Sequence, residues 1–198
     1  PLNAMMSFAY DAATQTLVET LTNAAGHVQR LVRDVRFGTV THSTDPNGVK
    51  QFIQYDAFGR VTSTGFFDPA TGLPAVLSTT TYDLTTVPTK TQTTVYPTPT
   101  APLIAYQFTD GLGRTIQVRS PAEDATQQVV DGVVAFDIRG QVASSWLPYR
   151  EAFSETYITP NPALPQVTYA YDPVGRPVRV TDPDGAPTTA AYDDWAVT

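Results

Sequence analysis

One turn motif returns along the whole chain, and it constrains the fold more than any other feature. Aspartate, two residues, glycine and then Arg or Gln occur at Asp56-Ala-Phe-Gly59-Arg60, Asp110-Gly-Leu-Gly113-Arg114, Asp137-Ile-Arg-Gly140-Gln141 and Asp172-Pro-Val-Gly175-Arg176. Tyr55, Phe136 and Tyr171 stand directly before three of these aspartates, and Phe108 lies two residues before Asp110. Tyr10-Asp11, Tyr82-Asp83 and Tyr192-Asp193 keep the aromatic-Asp pair without the glycine, while Arg33-Asp34 keeps only the Asp, with Gly38 displaced by one. The aspartates at 11, 34, 56, 83, 110, 137, 172 and 193 are separated by 23, 22, 27, 27, 27, 35 and 21 residues. Equal spacings in succession identify a repeat architecture.

A second punctuation lies between these motifs: Asp45-Pro-Asn-Gly48 and Asp182-Pro183-Asp-Gly185, with Asn23-Ala-Ala-Gly26 as a weaker copy. Both motifs are turns with a mechanism. The Asp carboxylate accepts hydrogen bonds from turn amides, Pro presets the second turn position, and Gly takes the left-handed conformation that ends the turn. Such loops join antiparallel neighbours. A unit of 21–27 residues therefore holds two strands and two turns. In the last full unit, Thr168–Tyr171, Arg176–Thr181 and Ala186–Tyr192 are predicted strands, with Val178 and Val180 on one face and Arg179 and Thr181 on the other. Ile116 and Val118 occupy the offsets of Val178 and Val180. A four-residue turn sets Tyr55 opposite Arg60 and Tyr171 opposite Arg176, so ring-on-guanidinium stacking within each hairpin is expected.

The expectation is an all-β meander of antiparallel hairpins, with 1–198 a single repeat array. Abundant Thr favours strands, and 17 prolines favour turns and sheet edges over helix interiors. Two stretches break the rhythm. Residues 79–102 are rich in Thr and Pro and read either as an edge strand with an extended loop, the favoured option, or as a linker. Residues 147–165 carry Pro148, Pro160, Pro162 and Pro165 and account for the spacing of 35. They read as an insertion: a surface loop, or a segment lining or plugging something. Two strands per repeat amount to on the order of 15 strands, too many for one flat sheet, so the sheet must curl, close or pack on a neighbour. No polar capping repeat marks either end, so flanking sequence or another copy is expected to cover the apolar face and edges.

Composition narrows the function classes. The net charge of −7 argues against a nucleic-acid footprint. There is no cysteine, which excludes disulfides, thiolate zinc sites and a cysteine nucleophile. No apolar run reaches the ~18 residues of a membrane helix. Pro1-Leu2-Asn3-Ala4-Met5-Met6 lacks the pattern of a signal peptide, and the chain reads as an excerpt of a larger protein. His27 and His42 stand apart with no nucleophile motif around them, and the regular placement of the Asp residues points to turn capping rather than acid–base pairs. The Asp45–Gly48 and Asp182–Gly185 turns each offer about two oxygen-bearing side chains, short of the six or more that calcium takes. No catalytic residue, cofactor or metal site is assigned.

Tyr171-Asp-Pro-Val-Gly-Arg176, through Thr181-Asp-Pro-Asp-Gly185 to Tyr192-Asp193, resembles the YD repeat of the RHS family, found in bacterial toxins and in teneurins. The resemblance spans residues 8–194. Phe108–Gln117, Val133–Asp137 and Trp146-Leu-Pro148 resemble more narrowly the middle region of toxin-complex B-type subunits and virulence-plasmid B proteins, over residues 108–193. The resemblance implies a β-sheet strip spiralling into a hollow shell, of which this chain is an arc. It implies that the shell encloses a toxic C-terminal polypeptide, in a secreted or cell-surface bacterial protein. The implied partners are flanking YD repeats, the enclosed polypeptide and a partner toxin-complex subunit. Some members of the family cleave themselves at a core that follows the repeats. Asp68-Pro-Ala-Thr-Gly-Leu73 only partly resembles that core and precedes most repeats, so the activity is not carried over. The competing readings are an extracellular carbohydrate- or protein-binding module and an enzyme fragment.

Overall fold

A computed structural model of the chain describes residues 5–98, 100–193, 196 and 197. Pro1 to Ala4 of the opening stretch and Pro99 of the Thr/Pro-rich run lie outside the described residues. Every regular element described is a β-strand. The chain forms two compact units, residues 1–81 with 93–103, and residues 82–92 with 104–198.

The first unit holds β1 (Ser7–Tyr10), β2 (Val18–Thr22), β3 (Val28–Asp34), β4 (Thr39–Thr44), β5 (Lys50–Tyr55), β6 (Val61–Phe67), most of β7 (Pro74–Asp83), and the parts of β8 (Thr89–Thr98) and β9 (Ala101–Thr109) next to their shared turn. Its strands pair in chain order, as a meander of turn-linked hairpins requires. The second unit holds the remainder of β7–β9, then β10 (Thr115–Pro121), β11 (Gln127–Asp131), β12 (Val134–Phe136), β13 (Val142–Trp146), β14 (Tyr149–Ala152), β15 (Gln166–Tyr171), β16 (Pro177–Thr181), β17 (Pro187–Thr189), β18 (Tyr192–Asp193) and β19 (Ala196–Val197). Here the chain order breaks. β14 pairs with β11, while β12, β13, β15, β16 and β17 form a separate sheet.

Each aromatic-Asp-x-x-Gly hairpin shifts register beside its turn. Tyr55 pairs with Val61 rather than Arg60, and Tyr171 with Pro177 rather than Arg176. The cause is the extra left-handed residue of a type I turn followed by a bulge: Gly59 has φ +78° and Gly175 φ +90°.

The Thr/Pro-rich run departs from expectation. It supplies the end of β7 and all of β8, and β8 lies between β7 and β9 instead of at an edge. Its prolines are tolerated because they fall at the margins: Pro88 in the turn before β8, Pro97 one residue from the end of β8, and Pro102 one residue into β9.

The larger core lies in the second unit, where Val130, Val133 and Trp146 pack with Ala135, Tyr149 and Leu164. The first unit is thinner, and Phe52 is its buried aromatic.

Candidate functional site

The repeat turns share one hydrogen-bond scheme. The Asp56 N–H donates to the Arg60 carbonyl (2.9 Å) and the Gly59 N–H to the Asp56 carbonyl (3.1 Å). Asp56 Oδ1 accepts the N–H groups of Phe58 and Arg60, and Oδ2 accepts Arg60 Nε at 2.7 Å. Asp110 and Asp172 repeat the scheme with Leu112 and Arg114, and with Val174 and Arg176. Asp137 caps Arg139 and Gln141 in the same way. The Asp45 turn caps Asn47 and Val49, whereas in the Asp182–Gly185 turn, with Pro183 at its second position, Asp184 caps Ala186.

Arg114 and Gln141, each the residue after a turn glycine, reach forward to the next repeat. Arg114 Nη1 donates to the Gly140 carbonyl (3.0 Å), and Gln141 Nε2 to the Gly175 carbonyl (2.9 Å). The contact survives repeat spacings of 27 and 35 residues, so the insertion leaves the turns in step. A Cβ on Gly140 would sit 3.2 Å from Arg114 Nη1, and one on Gly175 3.1 Å from Gln141 Nε2. These glycines are required both by their left-handed backbone and by that close approach.

For Arg114 and Arg176 the stacking partner comes from the next repeat, which corrects the expectation that Tyr171 stacks on Arg176 within its hairpin. The Arg114 guanidinium lies 3.5 Å from the Phe136 centroid, and that of Arg176 lies 4.3 Å from Tyr192. Arg60 lies 5.3 Å from Phe58. The bulge moves Tyr55 and Tyr171 off their own arginines, and their hydroxyls instead donate backward, to the Val40 and Val142 carbonyls, both at 2.9 Å. Tyr192 reaches Pro177 likewise. The signature is thus a clamp between consecutive repeats. Phe108, two residues before Asp110, is not part of it. It is buried edge-on against Tyr157.

Residues 147–165 form a strap over a polar face of the second unit. Arg119 and Gln117 of β10 and Gln128 of β11 are fully buried there. Arg119 Nη2 pairs with Glu151 at 2.6 Å, and its Nε donates to Gln117 Oε1. The Gln117 amide holds the strap backbone at Ile158 from both sides, and Gln128 Oε1 accepts the Ser154 N–H. Phe153 packs edge-on to Tyr106, and Trp146 Nε1 donates to the Asn161 carbonyl.

The RHS-repeat family model matches residues 165–195. The fold matches a crystal structure of TcdB2-TccC3 at 21% identity and a TM-score of 0.77, over 97% of this chain and 12% of that one. The same complex without its hypervariable C-terminal region matches with a TM-score of 0.78 at 17% identity, and a Photorhabdus luminescens Tc holotoxin pore with 0.72 at 17%, each over 97% of this chain and 14% of that one. A sequence comparison with curated proteins gives no match.

Residues 165–195 carry an RHS repeat, and the chain shares its all-β fold with these toxin-complex structures. It spans about an eighth of the length of the solved structures it matches.

At the turns of Asp56, Asp110 and Asp172 the carboxylate pKa is lowered from its ordinary value. For Asp110 the Arg114 N–H lowers the pKa most. Partial desolvation opposes it, and the Arg114 guanidinium and Leu112 N–H add to the lowering. Asp11, whose carboxylate accepts bonds from Thr14, Thr16 and Leu17, lies well below the ordinary range, the Leu17 N–H contributing most. In the strap-covered pocket, burial and then the Glu155 carboxylate beside it push the Tyr106 phenol up to about 12.

The residues that sequence reading missed are Gln117, Arg119, Gln128 and Glu151. Along β10, Ile116 and Val118, which occupy the offsets of Val178 and Val180, are half-buried, and the polar alternates Gln117 and Arg119 are the sealed ones. Two glutamines and an arginine alternating with valines across adjacent strands were the available signal. His42 stacks on Phe67 (5.9 Å), and His27 sits in the Asn23 turn. Among the described residues, no three His, Asp or Glu side chains converge as metal ligands, and no helix is long and apolar enough to cross a membrane, which says nothing of a β-barrel.

Proposed function

We propose that this chain is a wall segment of a bacterial RHS-type toxin shell, a single repeat array over 1–198 that encapsulates a toxic C-terminal polypeptide and works by shape and not by catalysis. The observation that carries the reading is the fold match, which takes in 97% of the chain and a short stretch of the TcdB2-TccC3 structures. The clamp supports it. Every hydrogen bond of the Arg/Gln-to-glycine series points to the next copy, so flanking YD repeats are the natural partners at either side. The strands β1 and β17, each paired on one side only among the described residues, offer edges for such repeats. A toxin-complex subunit is the proposed outer partner, and the protein acts after export. Trp146 packs in the core of the second unit and donates its Nε1–H to the Asn161 carbonyl, so its ring is not offered as a carbohydrate platform.

Limited proteolysis of the full-length protein tests the reading. The C-terminal polypeptide is expected to survive protease while the shell is intact and to be digested once Gly140→Val opens the clamp. Digestion at the rate of the isolated polypeptide, with the shell intact, overturns it.

A further inference from the structure

Asn47 and Gly48 form the tip of the turn that joins β4 to β5, and this asparagine is placed unlike the others. Among the described residues, asparagine stands at 23, 47 and 161. Asn23 Oδ1 accepts the N–H groups of Ala25 and His27, and its amide meets the His27 ring. Asn161 Oδ1 accepts the Ala163 N–H, and the residue after it, Pro162, has no N–H. In the 45–48 turn Asp45 does the capping: its Oδ1 accepts the N–H groups of Asn47 (2.9 Å) and Val49 (2.8 Å). The Asn47 side chain is exposed, and among the described residues no hydrogen bond holds its amide.

The next residue is Gly48, with φ +84° and no atom within 4 Å of where a Cβ would stand. Its backbone nitrogen is therefore unshielded by any side chain of its own or of a neighbour. This nitrogen and Asn47 Cγ are the two atoms that close a succinimide ring. The Gly48 N–H donates to the Asp45 carbonyl at 3.0 Å, and that bond has to open first. It lies at an exposed tip, where water replaces it at little net cost.

We propose that Asn47–Gly48 is a self-modification site, converting to aspartate and isoaspartate with water as co-reactant. The Gly48 nitrogen gives up its proton and bonds to Asn47 Cγ. The Cγ–Nδ2 bond breaks, and Nδ2 leaves as ammonia carrying that proton. Water then opens the succinimide. Breaking the new Cγ–N bond gives aspartate, and breaking the original peptide C–N bond leaves the chain running through Cγ as isoaspartate. Neither route needs an oxidant or a reductant. The fold already holds the first product elsewhere: the 182–185 turn reads Asp-Pro-Asp-Gly where this one reads Asp-Pro-Asn-Gly, and Asp184 Oδ1 accepts the Ala186 N–H at 2.9 Å. At position 47 that product adds a carboxylate to an open cleft lined by Asn47, Lys50, Phe67 and Asp68. The second product inserts a main-chain carbon into a hairpin whose strands pair from Thr44 and Lys50 onward.

Ageing the folded full-length protein at mildly alkaline pH tests this, with digestion at acid pH and peptide mapping by mass spectrometry. A synthetic peptide of residues 44–51 sets the time in which the unrestrained sequence converts completely. Over that time the Asn47 peptide is expected to gain the mass difference between an acid and an amide. It should split into two chromatographic forms, one of them methylated by protein isoaspartyl methyltransferase. The Asn23 peptide is expected to stay unchanged. Asp184 has no amide to lose, so the gain in mass separates Asn47 from isomerisation at Asp184. In Asn47→Gln, whose longer side chain disfavours ring closure, the gain is expected to be lost. An unmodified Asn47 after the peptide has converted, conversion at Asn23 as fast as at Asn47, or a gain that persists in Asn47→Gln overturns the proposal.

Discussion

The two equivalent faces share a register and differ in what covers them. Phe52, Ser63 and Gly65 in the first unit stand where Tyr106, Gln117 and Arg119 stand in the second, and the register between them is the same. The second face is sealed by a strap held through side-chain amides and a buried ion pair. The first is packed by its own strands, with Phe67 edge-on to the buried Phe52. The repeat therefore separates two tasks. Residues at the turn, Asp, Gly and Arg or Gln, join one repeat to the next and are kept. Residues four to six positions away take no part in that task and differ between these repeats, so one face is latched by a distant segment and the other is packed by its own strands.

The largest effect that tests this contrast is expected from Arg119→Ala. It removes the charge that Glu151 and Gln117 satisfy, and breaking such a pair costs about 3–5 kcal/mol, here at the lower end because Glu151 keeps a third of its surface in solvent. Denaturant unfolding measures it, together with faster hydrogen exchange at Ser154 and Ile158. Ser63→Ala, at the equivalent of Gln117, is expected to change stability by less than about 1 kcal/mol. Equal losses from the two substitutions would erase the distinction between a latched and an unlatched face.

Gly65→Ala comes next. Its Cβ would collide with the Ala75 carbonyl oxygen and lie 2.6 Å from the Phe52 ring, an overpacking worth about 1–3 kcal/mol. Near-ultraviolet circular dichroism of the aromatic cluster and the unfolding midpoint both read it. An unshifted spectrum would mean that the cluster does not depend on this glycine.

The turns supply a finer comparison. Gly140→Ala and Gly185→Ala both place a side chain at a left-handed φ, +80° and +86°, worth about 1–2 kcal/mol. Only at Gly140 does the new Cβ press on the clamp, at Arg114 Nη1. Gly140→Ala should lower the melting temperature further than Gly185→Ala, and equal shifts would show that the clamp adds nothing to stability.

The smallest effect is the pH dependence. Asp110 has a folded pKa below its ordinary value of 3.8, so its contribution is present above that value and is lost as the pH falls through the lowered one. Thermal melts from pH 5 to pH 2 should show this loss, and Asp110→Asn should flatten it. A variant profile parallel to that of the parent protein would place the acid sensitivity elsewhere.

Much of the fold was legible because the turn motifs act locally. Asp56, Asp110, Asp137 and Asp172 cap amides within four residues, so their roles follow from spacing alone. The clamp was half legible. The aromatic and the arginine were identified, but the bulge after the turn glycine shifts register by one, and Arg114 and Arg176 stack on the ring of the next repeat. The sealed polar face was not legible, because Gln117 is latched by Ile158, 41 residues away. The same limit applies to residues 79–102, whose prolines look disruptive in sequence and prove to lie at strand margins.

The sequence by itself determined the repeat, its turns, its antiparallel strands and the absence of any thiol chemistry, because each depends on residues within a turn of one another. Only the tertiary structure decided which repeat stacks on which arginine, which face of β10 is buried, and that β14 leaves the chain order to pair with β11. Those outcomes depend on contacts between segments 20–40 residues apart, where register and burial are set by packing and not by local preference.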